Sequence, residues 1–402
     1  MNRIDKLIKE LCPNGVKYKQ LFEVSTIIRG ERVTKKDLII NGEYPVISGG
    51  TKPLGSINKF NREANTITIA QYGSAGYVDF QENKFWANDV CYSVLPNNEL
   101  INKYLFYCLK NKQQLLYSLT TKAIPDHLPL EKLKSVDIPV PPLEVQCEIV
   151  HILDNFTLLT AELTAELTAR KKQYNYYRDS LLDFSNKNVE WKKLGSVATI
   201  VRGNGLQKSD FVEHGYPCIH YGQIYTKYNL FTTNTLSFVP EELAEKLQKV
   251  HTNDIIMAVT SENIEDVCKS VAWLSEGDIV TGGHTAIIRH TLNPKYLSFF
   301  FQTSCFQKQK EKLAHGTKVI EVTPYRLNDI LIPVPSMEIQ ERIVNVLENF
   351  DSICSDLKIG LPAEIEARQK QYEYYRNLLL TFPENNLHLS KQASKQASKQ
   401  AS

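Results

Sequence analysis

The chain has 402 residues, too many for one ordinary core, which predicts two or three domains. Apolar residues make up 42% and charged residues 23%, a balance that excludes a disordered chain, and no run of eighteen apolar residues exists to form a membrane span. With 47 Lys+Arg against 45 Asp+Glu the net charge is only +2, so a uniformly basic nucleic-acid binder is excluded and any DNA-binding surface must be local.

Taken in chain order, the first residues form a charged amphipathic stretch (Arg3, Lys6, Lys9, Glu10) that lacks a secretory pattern, so a cytoplasmic protein (bacterial cytosol) with no membrane partner is expected. Residues 1–143 read as a first domain with short β-branched and aromatic runs, such as Thr66-Ile-Thr-Ile-Ala70 and Tyr77-Val-Asp-Phe80, between Gly and Asn turns. Ile138-Pro-Val-Pro closes it, stopping a strand and aiming the chain into a helix. Residues 144–186 carry Ile149, Leu153, Phe156, Leu159, Leu163, Leu167, Tyr174, Tyr177 and Leu181 at spacings of three, four or seven, the stripe of a coiled-coil-like helix. About 40 such residues would span roughly 60 Å.

Residues 187–337 form a second strand-rich domain, with Asp254-Ile-Ile-Met-Ala-Val-Thr260 as its clearest strand. A second helix follows over 338–383 (Ile343, Leu347, Phe350, Leu357, Ile365, Tyr372, Tyr375, Leu379), interrupted at Gly360-Leu-Pro362, where a break is expected. The tail, 384–402, holds three Lys-Gln-Ala-Ser units and is of low complexity. Eight cysteines at 12, 91, 108, 147, 218, 268, 305 and 354 show no C-x-x-C pair, so reduced and mostly buried thiols are expected and no metal site.

The chain repeats itself. Ile138-Pro-Val-Pro-Pro-Leu-Glu-Val-Gln146 returns as Ile332-Pro-Val-Pro-Ser-Met-Glu-Ile-Gln340, and Arg170-Lys-Lys-Gln-Tyr-Asn-Tyr-Tyr-Arg178 as Arg368-Gln-Lys-Gln-Tyr-Glu-Tyr-Tyr-Arg376. Ahead of the helices, Leu21-x-x-Val-x-x-Ile-x-Arg-Gly30 returns as Leu194-x-x-Val-x-x-Ile-x-Arg-Gly203, and in the same register Ile8, Leu11 and Val16 match Leu181, Phe184 and Val189. The N-terminus thus corresponds to the end of a connector, making the repeat circularly permuted. The last helix is expected to run back to the first residues and close a pseudo-twofold ring.

These motifs resemble the type I restriction-modification specificity subunits: the Ile-Pro-x-Pro helix start, the Gln-Tyr-x-Tyr-Tyr-Arg helix end and the two-fold layout cover nearly the whole chain. Leu159-Thr-Ala-Glu-Leu-Thr-Ala-Glu-Leu-Thr-Ala-Arg170 resembles the subclass with tandem Thr-Ala-Glu-Leu units in its first spacer helix. Ile47-Ser-Gly-Gly-Thr-Lys-Pro-Leu-Gly55, Gln71-Tyr-Gly-Ser-Ala-Gly76 and Phe85-Trp-Ala-Asn-Asp89 look like stretches of the family's target-recognition domains. The resemblance implies an α+β fold: two similar mixed α/β target-recognition domains separated by two long antiparallel helices. It also implies that each domain reads one half of a bipartite asymmetric site on double-stranded DNA. Two modification (methyltransferase) subunits would dock on the helices, and restriction subunits (an ATP-dependent translocase and endonuclease) would join them. Cofactors are then expected only in those partners, as S-adenosylmethionine, ATP and Mg²⁺, and this chain is expected to be no enzyme.

Candidate DNA contacts lie in Gly-rich or polar turns, where side chains and backbone amides can approach phosphates or base edges. In the first domain these are Arg29, Lys52, Tyr72, Ser74 and Lys122; in the second, Arg202, Asn204, Lys208, Ser261, Asn263, His284 and Lys318. For each, an ordinary solvated loop is the competing reading. Lys122 and Lys318 match across the repeat in Thr-Lys-Ala-Ile and Thr-Lys-Val-Ile. Candidate partner contacts are Phe156, Tyr174, Tyr177, Arg178, Phe350, Tyr372, Tyr375 and Arg376, since Tyr and Arg are rich at interfaces, although simple helix packing would use the same residues.

Enzyme readings lack their motifs. Gly203-Asn-Gly-Leu-Gln-Lys208 only imitates a cofactor loop, no Asn/Asp-Pro-Pro-aromatic tetrad accompanies it, and no G-x-x-x-x-G-K-[ST] exists for an ATP motor. Glu82-Asn-Lys84 and Glu190-Trp-Lys192 could supply half of a nuclease metal site, but the Pro125-Asp126 pair sits wrongly for either. A scaffold without DNA specificity is the remaining class.

Overall fold

The computed structural model describes residues 2–121, 125–185, 188–355 and 360–384. The chain divides into two compact units, Met1–Leu163 with Ile365–Ser402, and Thr164–Glu364. Both are α+β and both are built on one plan.

In the first unit, β1 (Lys17–Gln20) pairs antiparallel with β9 (Asp137–Val140), the strand that carries the first Ile-Pro-Val. Between them, β2 (Ser25–Arg29), β3 (Tyr44–Ile47), β4 (Gly55–Ile57), β5 (Thr66–Ala70), β6 (Val78–Gln81), β7 (Trp86–Ala87) and β8 (Cys91–Pro96) form two sheets, ordered β2-β8-β5-β6 and β4-β3-β7. All five residues of β5 are buried, because both faces of the strand are covered. Ile67 and Ile69 join Tyr104, Leu105 and Leu109 of the Asn102–Asn111 helix in the main core. Thr68 and Ala70, on the opposite side by the two-residue period, border Ile47, Ser48 and Lys52.

The expected return of the last helix to the first residues is present inside this unit. Ile4 of the Asn2–Leu11 helix shares a core with Leu379, Leu380 and Phe382. Val16 donates its N–H to the Pro383 carbonyl at 2.9 Å, and the Tyr18 hydroxyl donates to that of Phe382 at 2.9 Å. Gly15 makes this closure possible: its φ is +82°, and a Cβ there would stand 2.1 Å from the Pro383 oxygen.

The second unit repeats the plan with additions. Here β10 (Trp191–Lys193) pairs with β22 (Leu331–Pro333) as β1 does with β9. The larger sheet, β11-β20-β16-β18-β13, uses β11 (Ala198–Arg202), β13 (Phe231–Thr232), β16 (Ile255–Ala258), β18 (Ser270–Trp273) and β20 (Thr285–His290). The smaller, β14-β12-β19-β15, uses β12 (Tyr216–Ile219), β14 (Ser237–Val239), β15 (Gln248–Val250) and β19 (Ile279–Thr281). Each sheet is one strand wider than its counterpart, and both extra strands, β13 and β15, lie between β12 and β16 in sequence. A small ladder of β17 (Thr260–Ser261) with β21 (Ile320–Glu321) completes the unit.

The repeated Ile-Pro-Val-Pro-x-x-Glu-x-Gln has a physical reason. Gln146 is fully buried at the start of the Leu143–Leu181 helix. Its amide donates to the Pro141 carbonyl (2.8 Å) and the Glu99 carbonyl (2.9 Å), while its oxygen accepts the Ile101 N–H (2.8 Å). Gln340 does the same at the start of the Met337–Ser355 helix, donating to Pro335 O and accepting from Asn293 N, both at 2.9 Å. Each glutamine ties the long helix to the segment that opens the next shorter one, satisfying backbone groups that the turn would orphan. Just above, the Tyr104 and Tyr296 hydroxyls donate to the carbonyls of Pro139 and Pro333.

The break expected near Gly360 is present: Gly360 is a bend outside any helix, and the helix that starts after it, Leu361–Leu379, has Pro362 in its first turn, where its missing N–H costs nothing. Leu357 lies outside the described residues. Of the seven cysteines described, Cys12, Cys91, Cys108, Cys218 and Cys268 are buried and Cys147 and Cys305 exposed, all as free thiols.

One titrating group is set apart by its position. His290 ends β20, and burial pushes its imidazole down to about 4. The unfolded ring takes up its proton near its ordinary value, about 6.5, so between these limits the unfolded state binds more protons. Stability from this group is therefore full above about pH 6.5 and declines as pH falls toward 4. Urea unfolding is expected to show a loss of about 2 kcal/mol between pH 7.5 and 5 that His290→Phe abolishes. An identical pH slope in the variant would assign the acid sensitivity elsewhere.

Candidate nucleic-acid interface

In the first unit, the loops that leave one end of the two sheets come together. The segments after β3 (residues 48–54), after β5 (71–77) and after β7 (88–90) are joined through the backbone: Ser74 N–H donates to Gly49 O at 2.7 Å, Gln71 N–H to Val90 O, and Asn88 N–H to Ile47 O. Arg29 stands at the end of β2, exposed, with its Nε donating to the Asp89 carbonyl at 2.6 Å. Gly30 follows because that loop passes against it; a Cβ would lie 2.1 Å from Asn88 O. Arg29, Lys52, Tyr72 and Ser74 thus share one loop cluster. Lys52 is exposed at the rim of a cavity of about 60 Å³ bordered by Thr68 and Asp79. Tyr72 stacks on His127, with centroids 5.4 Å apart and planes 22° apart, and His127 Nδ1 lies 2.8 Å from Thr121 Oγ1. Lys122, next in the chain, lies outside the described residues.

The second unit sets different chemistry on the same frame. Arg202 repeats Arg29, its Nε donating to the Gly283 carbonyl, and Gly203 repeats Gly30, its Cβ position 2.2 Å from Gly282 O. Here the guanidinium also pairs with Glu321 at 3.1 Å. His284 has Nδ1 3.0 Å from Thr260 Oγ1, and its ring centroid is 4.7 Å from that of Tyr221. Ser261 lies on β17 opposite Ile320. Exposed Lys318 precedes Ile320 by two residues, so the β17–β21 ladder gathers Ser261, His284, Arg202 and the Lys318 turn into one neighbourhood.

The remaining candidates have local work. Asn204 donates to Lys246 O (2.9 Å) and accepts from Gln248 N (2.9 Å), stapling its loop to β15. Asn263 accepts from Asp266 N (2.7 Å) and donates to its carboxylate (2.8 Å), holding a turn. Lys208 is exposed beside His220, whose imidazole is held below its ordinary value by burial first, then by the charge of Lys208 and by His284.

The helix-end residues fall into two seams, one in each unit. In the first, Phe156 stacks on Tyr375 (5.5 Å, 26°), and both border an apolar cavity of about 550 Å³ with Ile4, Ile8 and Leu378. Arg376 lies over the Tyr372 ring at 5.4 Å and donates to Asn111 Oδ1. In the second, Tyr174 is buried with Ile343 and Leu347, Arg178 lies over its ring at 5.7 Å, and Tyr177 meets Phe350 at 5.5 Å. Tyr174 and Arg178 are each only 9% exposed. The neighbours that sequence reasoning passed over, Tyr176 and Tyr374, are the open ones, at 70% and 64%. Their signal was the repeated Tyr-Tyr pair itself.

His127, Tyr221 and Glu321 are likewise additions from the structure. His127 sits in Pro125-Asp-His-Leu-Pro129, whose two prolines mark a shaped loop, whereas Tyr221 has no comparable signal in the sequence. Among the described residues, no group of three His, Cys, Asp or Glu is placed to hold a metal ion. No helix among them is long and apolar enough to cross a membrane.

Comparison with known proteins matches this two-fold frame. The type I restriction modification DNA specificity domain profile matches residues 13–170 and again 186–367. The EcoR124I/EcoR124II specificity subunit of Escherichia coli is 32% identical, over 96% of this chain and 98% of its own length. Among solved structures, the S subunit of the type I restriction-modification system from M. genitalium superposes with a TM-score of 0.56 at 17% identity, covering 91% of this chain and 96% of that one. A chain from a structural study of type I R-M complex assembly reaches 0.59 at 14% identity, covering 92% and 98%. At such identities the structural likeness speaks for the fold.

Proposed function

This chain belongs to the type I restriction-modification DNA specificity family, and from that premise we propose that its two units are separate readers of one bipartite, asymmetric DNA site. The observation that carries this reading is a shared frame with different chemistry at the same place. Arg29 and Arg202 are anchored alike, on the carbonyls of Asp89 and Gly283, but one loop cluster offers Tyr72 and His127 where the other offers Tyr221, His284 and Glu321. Equal anchors with unequal loops suit equal docking on the duplex with unequal base readout. The chain itself carries out no chemistry in this account. Modification subunits supply S-adenosylmethionine and restriction subunits supply ATP and Mg²⁺, as is proposed for the cytoplasmic complex as a whole.

The helices carry the modification subunits and set the spacing between half-sites. Leu143–Leu181 is a single uninterrupted helix, and its Thr-Ala-Glu-Leu units support a reading of it as a spacer of the tandem-repeat kind. Inserting one more unit between Leu167 and Thr168 adds roughly 6 Å of rise and about 400° of turn, so the Leu159, Leu163, Leu167 stripe keeps its face. The unspecified spacer is expected to grow by one or two base pairs, at about 3.4 Å each, with both half-sites kept. Methylation mapping reads this directly. Full activity on an unchanged spacer would remove the helix from any role in setting the distance.

A further inference from the structure

A buried cation lies beneath the loop that carries two of the second unit's candidate contacts. Lys310, on the Ser304–Leu313 helix, is 2% exposed. Its Nζ donates to the Glu265 carbonyl at 2.8 Å and to the Val267 carbonyl at 2.7 Å. Those carbonyls belong to the segment between β17 and β18, which follows Ser261 and holds the Asn263–Asp266 turn. The ammonium spends two of its three donors on main-chain oxygens while almost none of the side chain meets solvent, an arrangement that fixes the loop from below. Burial lowers its pKa, the expected mark of an amine held away from water.

The first unit has the same device in different chemistry. Gln113, on the Gln113–Ser118 helix, donates to Gly76 O at 2.5 Å and accepts Val78 N–H at 2.9 Å, and Lys110 Nζ donates to Val78 O at 2.8 Å. These bonds hold the end of the loop that carries Tyr72 and Ser74. In both units a side chain from the helical layer thus grips the backbone of the hairpin loop at the sheet end. A core demanding only apolar packing would not place a lysine and a glutamine there.

We propose that Lys310 is a positioning residue for DNA recognition: its grip on the Glu265 and Val267 carbonyls shapes the 261–267 loop so that the second unit discriminates its half-site. This rests on the two-reader function proposed above. Lys310→Met keeps the length and removes every donor; Lys310→Gln keeps donors of the kind Gln113 uses. Each is prepared in the full chain with its modification subunit, and methylation is measured on duplexes altered by one base pair in either half-site.

Lys310→Met is expected to reduce discrimination in the second unit's half-site roughly tenfold, the worth of one well-read base pair, while the first half-site stays within about twofold. Lys310→Gln is expected to recover part of the loss. Unchanged discrimination at both half-sites in Lys310→Met overturns the proposal, and so does an equal loss at both, which would mark a general structural role. Should Lys310→Met fail to fold, Lys310→Gln decides by the same two ratios. An unsubstituted complex that shows no split into two half-sites would instead overturn the two-reader function.

Discussion

Exchanging residues 20–140 for the equivalent segment of a relative is expected to replace one half of the methylated motif and leave the other untouched. The cut points fall at the last residues of β1 and β9, which pair through their backbones, so a foreign β9 can meet the resident Lys17–Lys19 without loss of register. The segment carries both sheets and the loop cluster of Arg29, Lys52, Tyr72 and Ser74, while Gln146 and the helix stay in place. Each mismatched base pair costs about 1–3 kcal/mol, so a half-site of about three base pairs shifts preference by roughly a thousandfold or more. Methylation rates on duplexes altered in one half measure it. A change in both halves, or in neither, would mean that the units do not read independently.

The second large effect concerns folding. Gln146→Leu keeps the shape of a fully buried side chain but orphans the Ile101 N–H and the Glu99 and Pro141 carbonyls in one step. Stranded buried polar groups cost about 1–3 kcal/mol each, with partial relief by rearrangement, so a loss of about 3 kcal/mol is expected. Gln340→Leu strands two groups and should cost less, about 2 kcal/mol. Urea unfolding of both variants gives the comparison. Losses below about 0.5 kcal/mol would show that the repeated glutamine is not what ties the helix starts down.

Much of this frame was legible in the sequence because it rests on local periodicity and on self-similarity. The strand β5 followed from its β-branched run, the helix break before Leu361 from Gly360-Leu-Pro362, and the return of Pro383 to Val16 from the permuted repeat. The strands β13 and β15 were not legible: they have no partner in the first half to align with, and at two and three residues they are too short to show a period. The β17–β21 ladder joins residues about sixty positions apart, a pairing that no local pattern encodes.

Of the candidate contacts, the two arginines were chosen for their glycine-rich turns, and they stand in an Arg-Gly pair that repeats; the structure explains the glycine by the crowding of Asn88 and Gly282. Asn204 and Asn263 were chosen as polar loop residues, but a turn needs such side chains for its own hydrogen bonds, and there the two uses look alike in sequence. Lys310 was invisible for the opposite reason, since a lysine in a charged helix reads as solvated until its burial is seen.

The most direct test is genome-wide mapping of methylated adenines in one host carrying the modification subunit with either the unaltered chain or the 20–140 exchange. The account predicts a single split motif in the first strain and, in the second, a motif sharing one half and the spacer with it. A contiguous motif, or one identical in both strains, would contradict it.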